Sequence, residues 1–215
     1  MENVSLIAAL KNWRWTSLLV LLLGAMFLSA TSDSSVHSDI ITISAFTLVF
    51  VGTLRAAILL PLLKNVGLGL VALWLLLGVA GVLDPSNNFG PVFMLVTACI
   101  LLGCLMVTLS ELAHNKQAGL DPIMGAVFGY ILIGVSWSLL YVQIELGAPG
   151  SFNSPSDHKT SSEFIYFSLV TLTSLGYGDI TPAAPVSRLL AGLQAATGTI
   201  YIAVFIGRVV ARFKD

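Results

Sequence analysis

Residues 171–182 read TLTSLGYGDITP, an order of letters that side-chain packing alone does not explain. Gly176 and Gly178 flank Tyr177, so alternate residues are free to take left-handed backbone angles and successive carbonyl oxygens can turn toward one axis. A row of carbonyls is what a dehydrated cation needs in place of water. The segment just before, 163–173, is apolar but only about eleven residues long, roughly half of what a helix needs to cross a bilayer. It is expected as a re-entrant half-helix capped by Ser161 or Ser162. The segment behind, 185–210, is long enough to cross.

Working outward, 122–146 reads as a span with Pro122 suited to its first turn, and 147–162 as a polar loop rich in Ser, Pro and Gly. Helix, half-helix, carbonyl loop and helix make one module, 122–215. Four further spans precede it, at about 15–30, 40–63, 66–83 and 91–112, with a turn at 84–90, DPSNNFG. The polar stretch ELAHNKQAGLDP divides the chain into 1–121 and 122–215. Ahead of the first span lies a weakly amphipathic segment, 2–10, and then Lys11, Trp13, Arg14 and Trp15, an interface anchor of basic and aromatic residues. A signal peptide would share the basic start and apolar core, with SATSDSS as its cleavage region; a retained span is the reading adopted. The fold class expected is an all-α membrane protein with six transmembrane helices, a re-entrant pore half-helix and a filter loop.

Composition points the same way. Of 215 residues, 56% are hydrophobic and only 10% charged, outside the mixture of a soluble domain. At roughly 20 residues per crossing, six spans use nearly the whole chain. A net charge of -1 offers no basic surface for nucleic acid. Cys99 and Cys104 share one apolar run, where a disulfide is not expected. His37, His114 and His158 lack metal-ligand spacing, and no Ser-His, paired-acid or metal constellation suggests an enzyme. Lys11, Arg14, Lys64, Lys116, Arg208, Arg212 and Lys214 fall on one side of a six-span topology, against Lys159 and Arg188 on the other. Positive charge is retained inside, so both termini are expected in the cytoplasm of a multi-pass cell-membrane protein.

The ordered set Thr171, Thr173, Ser174, Gly176, Tyr177, Gly178 and Asp179, placed between a half-span and a full span, resembles the potassium-channel selectivity filter, in which Thr-Val-Gly-Tyr-Gly is followed by Asp. Ser174 and Leu175 stand where that family usually has Thr and Val. The resemblance is to the six-helix, one-pore-loop type, and it implies a homotetramer around a four-fold axis. Potassium ions would bind at Ser174, Leu175, Gly176 and Tyr177, with Gly178 completing the filter and no other cofactor. Thr171, Thr173 and Asp179 would support the filter, with Tyr166 and Phe167 as an aromatic cuff around Tyr177. Gly198, between Thr197 and Thr199, falls where relatives carry a gate hinge, although close packing is an equal use of a membrane glycine. Val170 replaces the Glu that some members have.

The resemblance stops at the voltage sensor. Residues 91–110 contain no Lys or Arg, so voltage gating is not implied, and no soluble ligand domain is expected. Arg55, inside the second span, is a functional candidate by default, with pairing to Glu111 or snorkelling toward Lys64 as its structural use. The function expected is passive potassium conduction. A weakly selective cation channel and a non-conducting regulatory subunit are the alternatives.

Overall fold

The computed structural model describes residues 13–31, 36–56, 61–84, 89–114, 119–155 and 161–211. The elements are α1 Arg14–Thr31, α2 Val36–Ala56, α3 Pro61–Leu83, α4 Gly90–His114 and α5 Leu120–Gly147. A two-residue strand β1, Phe152–Asn153, follows, then the short helix α6, Ser161–Leu172, and strand β2, Thr181–Pro182. Helix α7, Pro185–Tyr201, continues through a π-helical turn at Ile202–Ile206 into α8, Gly207–Ala211. The chain is an all-α, multi-pass membrane protein. Among the described residues five helices, α1, α3, α4, α5 and α7 with its extension to Ile206, are long and apolar enough to cross a bilayer, while the apolar part of α2 is the shorter Ile40–Ala56.

The expected second span, 40–63, is corrected here. The described helices are α2 Val36–Ala56 and α3 Pro61–Leu83, with Pro61 in the first turn of α3, where a missing N–H costs no hydrogen bond. Leu62 and Leu63 therefore belong to α3, and Arg55 moves from the interior of a span to the last turn of α2. Segment 2–10, Lys11, Lys116, His158, Lys159, Arg212, Lys214 and the side chains of His37 and His114 lie outside the described residues, as does most of the turn at 84–90.

The chain forms two compact units, with the boundary between Gly129 and Tyr130 inside α5. In the first, α2 packs against α1, α3 and α4, and α3 packs against α4. Helix α1 buries Trp15, Leu18, Leu19, Leu22 and Ala25, a helical stripe facing its neighbours. Trp74 lies edge-on to Phe50 at 5.3 Å and stacks on Phe93 at 5.5 Å. Its indole N–H donates to Thr97 Oγ1 at 2.8 Å, so the polar atom of a buried indole is satisfied.

One end of this unit is a polar node. Arg14 donates to Glu111 Oε2 at 3.1 Å and to the Ala56 carbonyl at 2.7 Å, neutralising the negative end of α2. Asp121 Oδ1 accepts the Trp15 and Thr16 N–H groups at 2.9 and 3.0 Å, two of the donors that every helix start leaves open. Glu111, expected opposite Arg55, is thus engaged by Arg14. Arg55 is exposed.

The second unit, Tyr130–Ala211, is built on an aromatic core of Tyr141, Phe152, Phe164 and Phe167. Phe152 brings β1 into that core, its ring edge-on to Phe164 at 5.3 Å and Phe167 at 5.4 Å. Strand β1 pairs antiparallel with β2, Phe152 opposite Pro182 and Asn153 opposite Thr181. The polar loop of the sequence reading thus contains one strand of a ribbon two residues a side, too short to leave a periodic signature.

Candidate functional site

Helix α6 is twelve residues long, and Ser161 and Ser162 lie inside its first turn rather than ahead of it. Its other end is stopped by backbone bonds. Ser174 N–H donates to the Thr171 carbonyl at 3.0 Å and Leu175 N–H to the Val170 carbonyl at 2.9 Å, the crossed pair of a Schellman stop. Such a stop needs a left-handed residue, usually glycine, and Ser174 takes that place with φ 58°. Gly176 and Gly178 follow with φ of 57° and 80°. Left-handed residues therefore alternate at 174, 176 and 178. Residues 173–179 are all exposed in the single chain, with Leu175 at 55% and Tyr177 at 67%.

The loop after this run is anchored to α6. Tyr166 donates its hydroxyl to Asp179 Oδ2 at 2.6 Å, and Ile180 N–H donates to Asp179 Oδ1 at 2.9 Å. The Tyr166 hydroxyl is the main cause of a carboxyl held below its usual range, and the backbone N–H adds to it. Thr173 Oγ1 donates back to the Leu169 carbonyl at 2.8 Å, and Thr171 contributes the carbonyl that closes the Schellman stop. Phe167 is placed differently from its neighbour. It is 4% exposed, with its ring 5.1 Å from Tyr141, so it faces the core of its own chain. Of the two aromatics expected around Tyr177, only Tyr166 turns toward the loop that carries Asp179; adjacent helical positions differ by about 100° and cannot share a face.

A buried polar cluster, unremarked in the sequence, ties α6 to both long helices of this unit. Gln194 of α7 is fully buried. Its Nε2 donates to Ser168 Oγ at 2.6 Å and the Ser168 carbonyl at 3.0 Å. Its Oε1 accepts the Tyr141 hydroxyl at 2.6 Å. Ser168 Oγ in turn donates to the Gly134 carbonyl of α5 at 2.6 Å. Four residues below, Tyr130 donates to the Leu172 carbonyl at 3.0 Å. A Cβ on Gly198 would run into that same carbonyl, so Gly198 is where the α7 backbone meets the end of α6. The irregularity of the helix comes later, at Ile202–Ile206. The signal available in the sequence was Gln194 itself, an amide in an otherwise apolar span, where such groups find partners across helices.

At the opposite end, Glu145 accepts the N–H groups of Gly150 and Phe152 at 2.9 and 3.2 Å, shaping the turn into β1. The Ser151 carbonyl accepts from Ala183 N–H at 2.8 Å, Ala184 N–H at 3.2 Å and the Ser187 hydroxyl at 2.8 Å. Ala184 has no side-chain cap of its own, and these three bonds instead tie the chain entering α7 to the residue before β1. Arg188 donates to the Pro182 carbonyl at 3.3 Å.

Comparison with known proteins places this region. Residues 126–215 match the family described as Ion channel. Protein LctB of Bacillus caldotenax is 29% identical over 125 residues, 55% of this chain and 92% of that protein. Potassium voltage-gated channel protein shk-1 of Caenorhabditis elegans is 39% identical over 49 residues, 23% of this chain and 9% of that protein. Two-pore potassium channel 1 of Arabidopsis thaliana is 40% identical over 55 residues, 25% of this chain and 15% of that protein. No solved structure matches.

Proposed function

We propose that four copies of this chain form a potassium-selective channel, with residues 174–178 as the ion path. The observation that carries this reading is the exposed run 173–179 with left-handed residues at 174, 176 and 178. A bilayer does not tolerate bare non-helical backbone against lipid, so this run needs either water or further copies of itself. A four-fold ring gives it both: a wet axis on one side and neighbouring chains on the other. Alternating backbone hand turns the carbonyls of Ser174, Leu175, Gly176 and Tyr177 toward that axis, and each ring of four replaces part of the ion's hydration. Gly178 completes the run.

In this reading residues 122–215 are the pore domain and residues 1–121 a four-helix, sensor-like domain without gating charges. Six crossings, both termini cytoplasmic in the cell membrane, agree with the distribution of Lys and Arg. Asp179, Tyr166, Thr171 and Thr173 hold the filter's ends. Two of the relatives, shk-1 and the two-pore channel, are potassium channels by name, which supports potassium as the ion.

Reconstitution in liposomes tests the proposal. Reversal potentials under mixed gradients should show potassium and rubidium strongly preferred over sodium, and Gly178→Ala should damage conduction or selectivity because a Cβ resists φ near 80°. Equal potassium and sodium permeability would instead favour a weakly selective channel, for which the substitution of Ser174 and Leu175 at the inner filter speaks. Absence of flux from a folded tetramer would favour a regulatory subunit.

A further inference from the structure

We propose that Gln194 is a positioning residue for the ion path: it fixes the height and tilt of α6, and through the Schellman stop the backbone of Ser174. This rests on reading residues 174–178 as that path. Helix α6, at twelve residues, is too short to hold its own geometry, since isolated helices of that length are marginal. Its position is set by what grips it. Aromatic packing of Phe164 and Phe167 is non-directional and permits a helix to slide or rotate slightly. Hydrogen bonds of defined length do not.

The ties from Gln194 are such bonds, and the fold does not otherwise require them. The Ser168 carbonyl lies inside α6, where the helix supplies its own N–H partner four residues on. The Ser168 hydroxyl already has the Gly134 carbonyl at 2.6 Å. Gln194 nonetheless spends both amide hydrogens on Ser168 and is itself held by Tyr141. Only a primary amide can donate twice and accept once from a single side chain. Two residues beyond Ser168 begins the pair of carbonyls, Val170 and Thr171, that bind Leu175 and Ser174 N–H. A displacement of α6 at Ser168 is therefore delivered to the first residues of the filter without slack.

Stability and positioning can be separated by substitution. Gln194→Met keeps the volume but leaves the Tyr141 hydroxyl buried without its acceptor, so the melting temperature should fall. Adding Tyr141→Phe removes that orphan and should restore the melting temperature to near wild type, because deleting both partners of a buried bond is close to neutral. The tie to Ser168 stays broken. In full-length protein in lipid nanodiscs, amide exchange over 170–176 should then be roughly tenfold faster than wild type, and the potassium-to-sodium permeability ratio should fall severalfold in liposomes. Tyr141→Phe alone, which keeps the Ser168 tie, should lower the melting temperature and leave exchange over 170–176 unchanged. If exchange in the double variant recovers in step with the melting temperature, or if Tyr141→Phe loosens 170–176 as much as Gln194→Met does, Gln194 is a packing residue and the proposal is wrong. A wild-type chain that passes no potassium refutes the channel reading, and amide exchange still decides this one.

Discussion

Ser174 carries a side chain where the helix stop asks for none. A non-glycine residue held in the left-handed region costs about 1–3 kcal/mol, and Ser174 has φ 58°. Ser174→Gly is expected to raise the melting temperature, by an amount equivalent to about 1 kcal/mol, while removing an oxygen at the inner end of the proposed ion path and so lowering flux. Thermal melts paired with flux should therefore move in opposite directions; a less stable Gly variant would contradict the strain argument. Asp179 offers a pH test. Its carboxyl is depressed by the Tyr166 hydroxyl, so the stabilisation is complete above the ordinary carboxylate pKa of about 3.9 and is lost as pH falls through the lower folded value. The stability gap between wild type and Tyr166→Phe should be constant from neutral pH down to about 4 and close below that. A gap that is the same at both extremes would mean that the carboxylate charge is irrelevant to the contact. The glycines at 176 and 178 were legible in the sequence because the freedom they confer is a property of the residue itself. The left-handed Ser174 and the inward turn of Phe167 were not, since both follow from where α6 ends and what it leans on.

Between Gln194 and Tyr201, α7 is held by its neighbours at three points. Gln194 is bonded to α6, the Gly198 backbone abuts the Leu172 carbonyl, and the Tyr201 ring lies 5.6 Å from that of Tyr130. Gly198→Ala would force a methyl into a backbone oxygen that cannot move aside. Overpacking of this kind costs typically 1–3 kcal/mol, and the variant should show a clearly lower melting temperature and poor recovery of oligomer from detergent. A Gly198→Ala protein as stable as wild type would restore a hinge as the reason for glycine. Sequence reading found this glycine but could not choose between bending and contact, because both uses place the same residue in the same kind of helix. The merged span at 40–63 has a different cause. Hydropathy runs on through Leu62 and Leu63, whereas Pro61 marks the start of α3, and the proline was the better guide.

Composition alone established a membrane protein, since little else tolerates so few charges. The same scarcity limits what the whole molecule can sense. Moving one charge through the full field is worth about 2.3 kcal/mol per 100 mV, and steep gating takes roughly three to four per subunit. No Lys or Arg occurs in 91–110, and Arg14 is bound to Glu111 and to the end of α2. Open probability in symmetric potassium should therefore depend weakly on voltage, and Arg55→Gln should not alter the slope. A steep rise abolished by that substitution would show a sensor in α2.

Because Phe152 pairs with Pro182 and Asn153 with Thr181, the chain leaving β1 for α6 starts from a pinned end. Foreign sequence placed after Pro155 lengthens the connection between β1 and α6, and each doubling of such a connection costs only about 0.6 kcal/mol. A short epitope there would be a tag on one face of the membrane. Antibody staining of intact, unpermeabilised cells that still take up potassium would then read the sidedness of the chain directly, and staining that appears only after permeabilisation would invert the proposed topology.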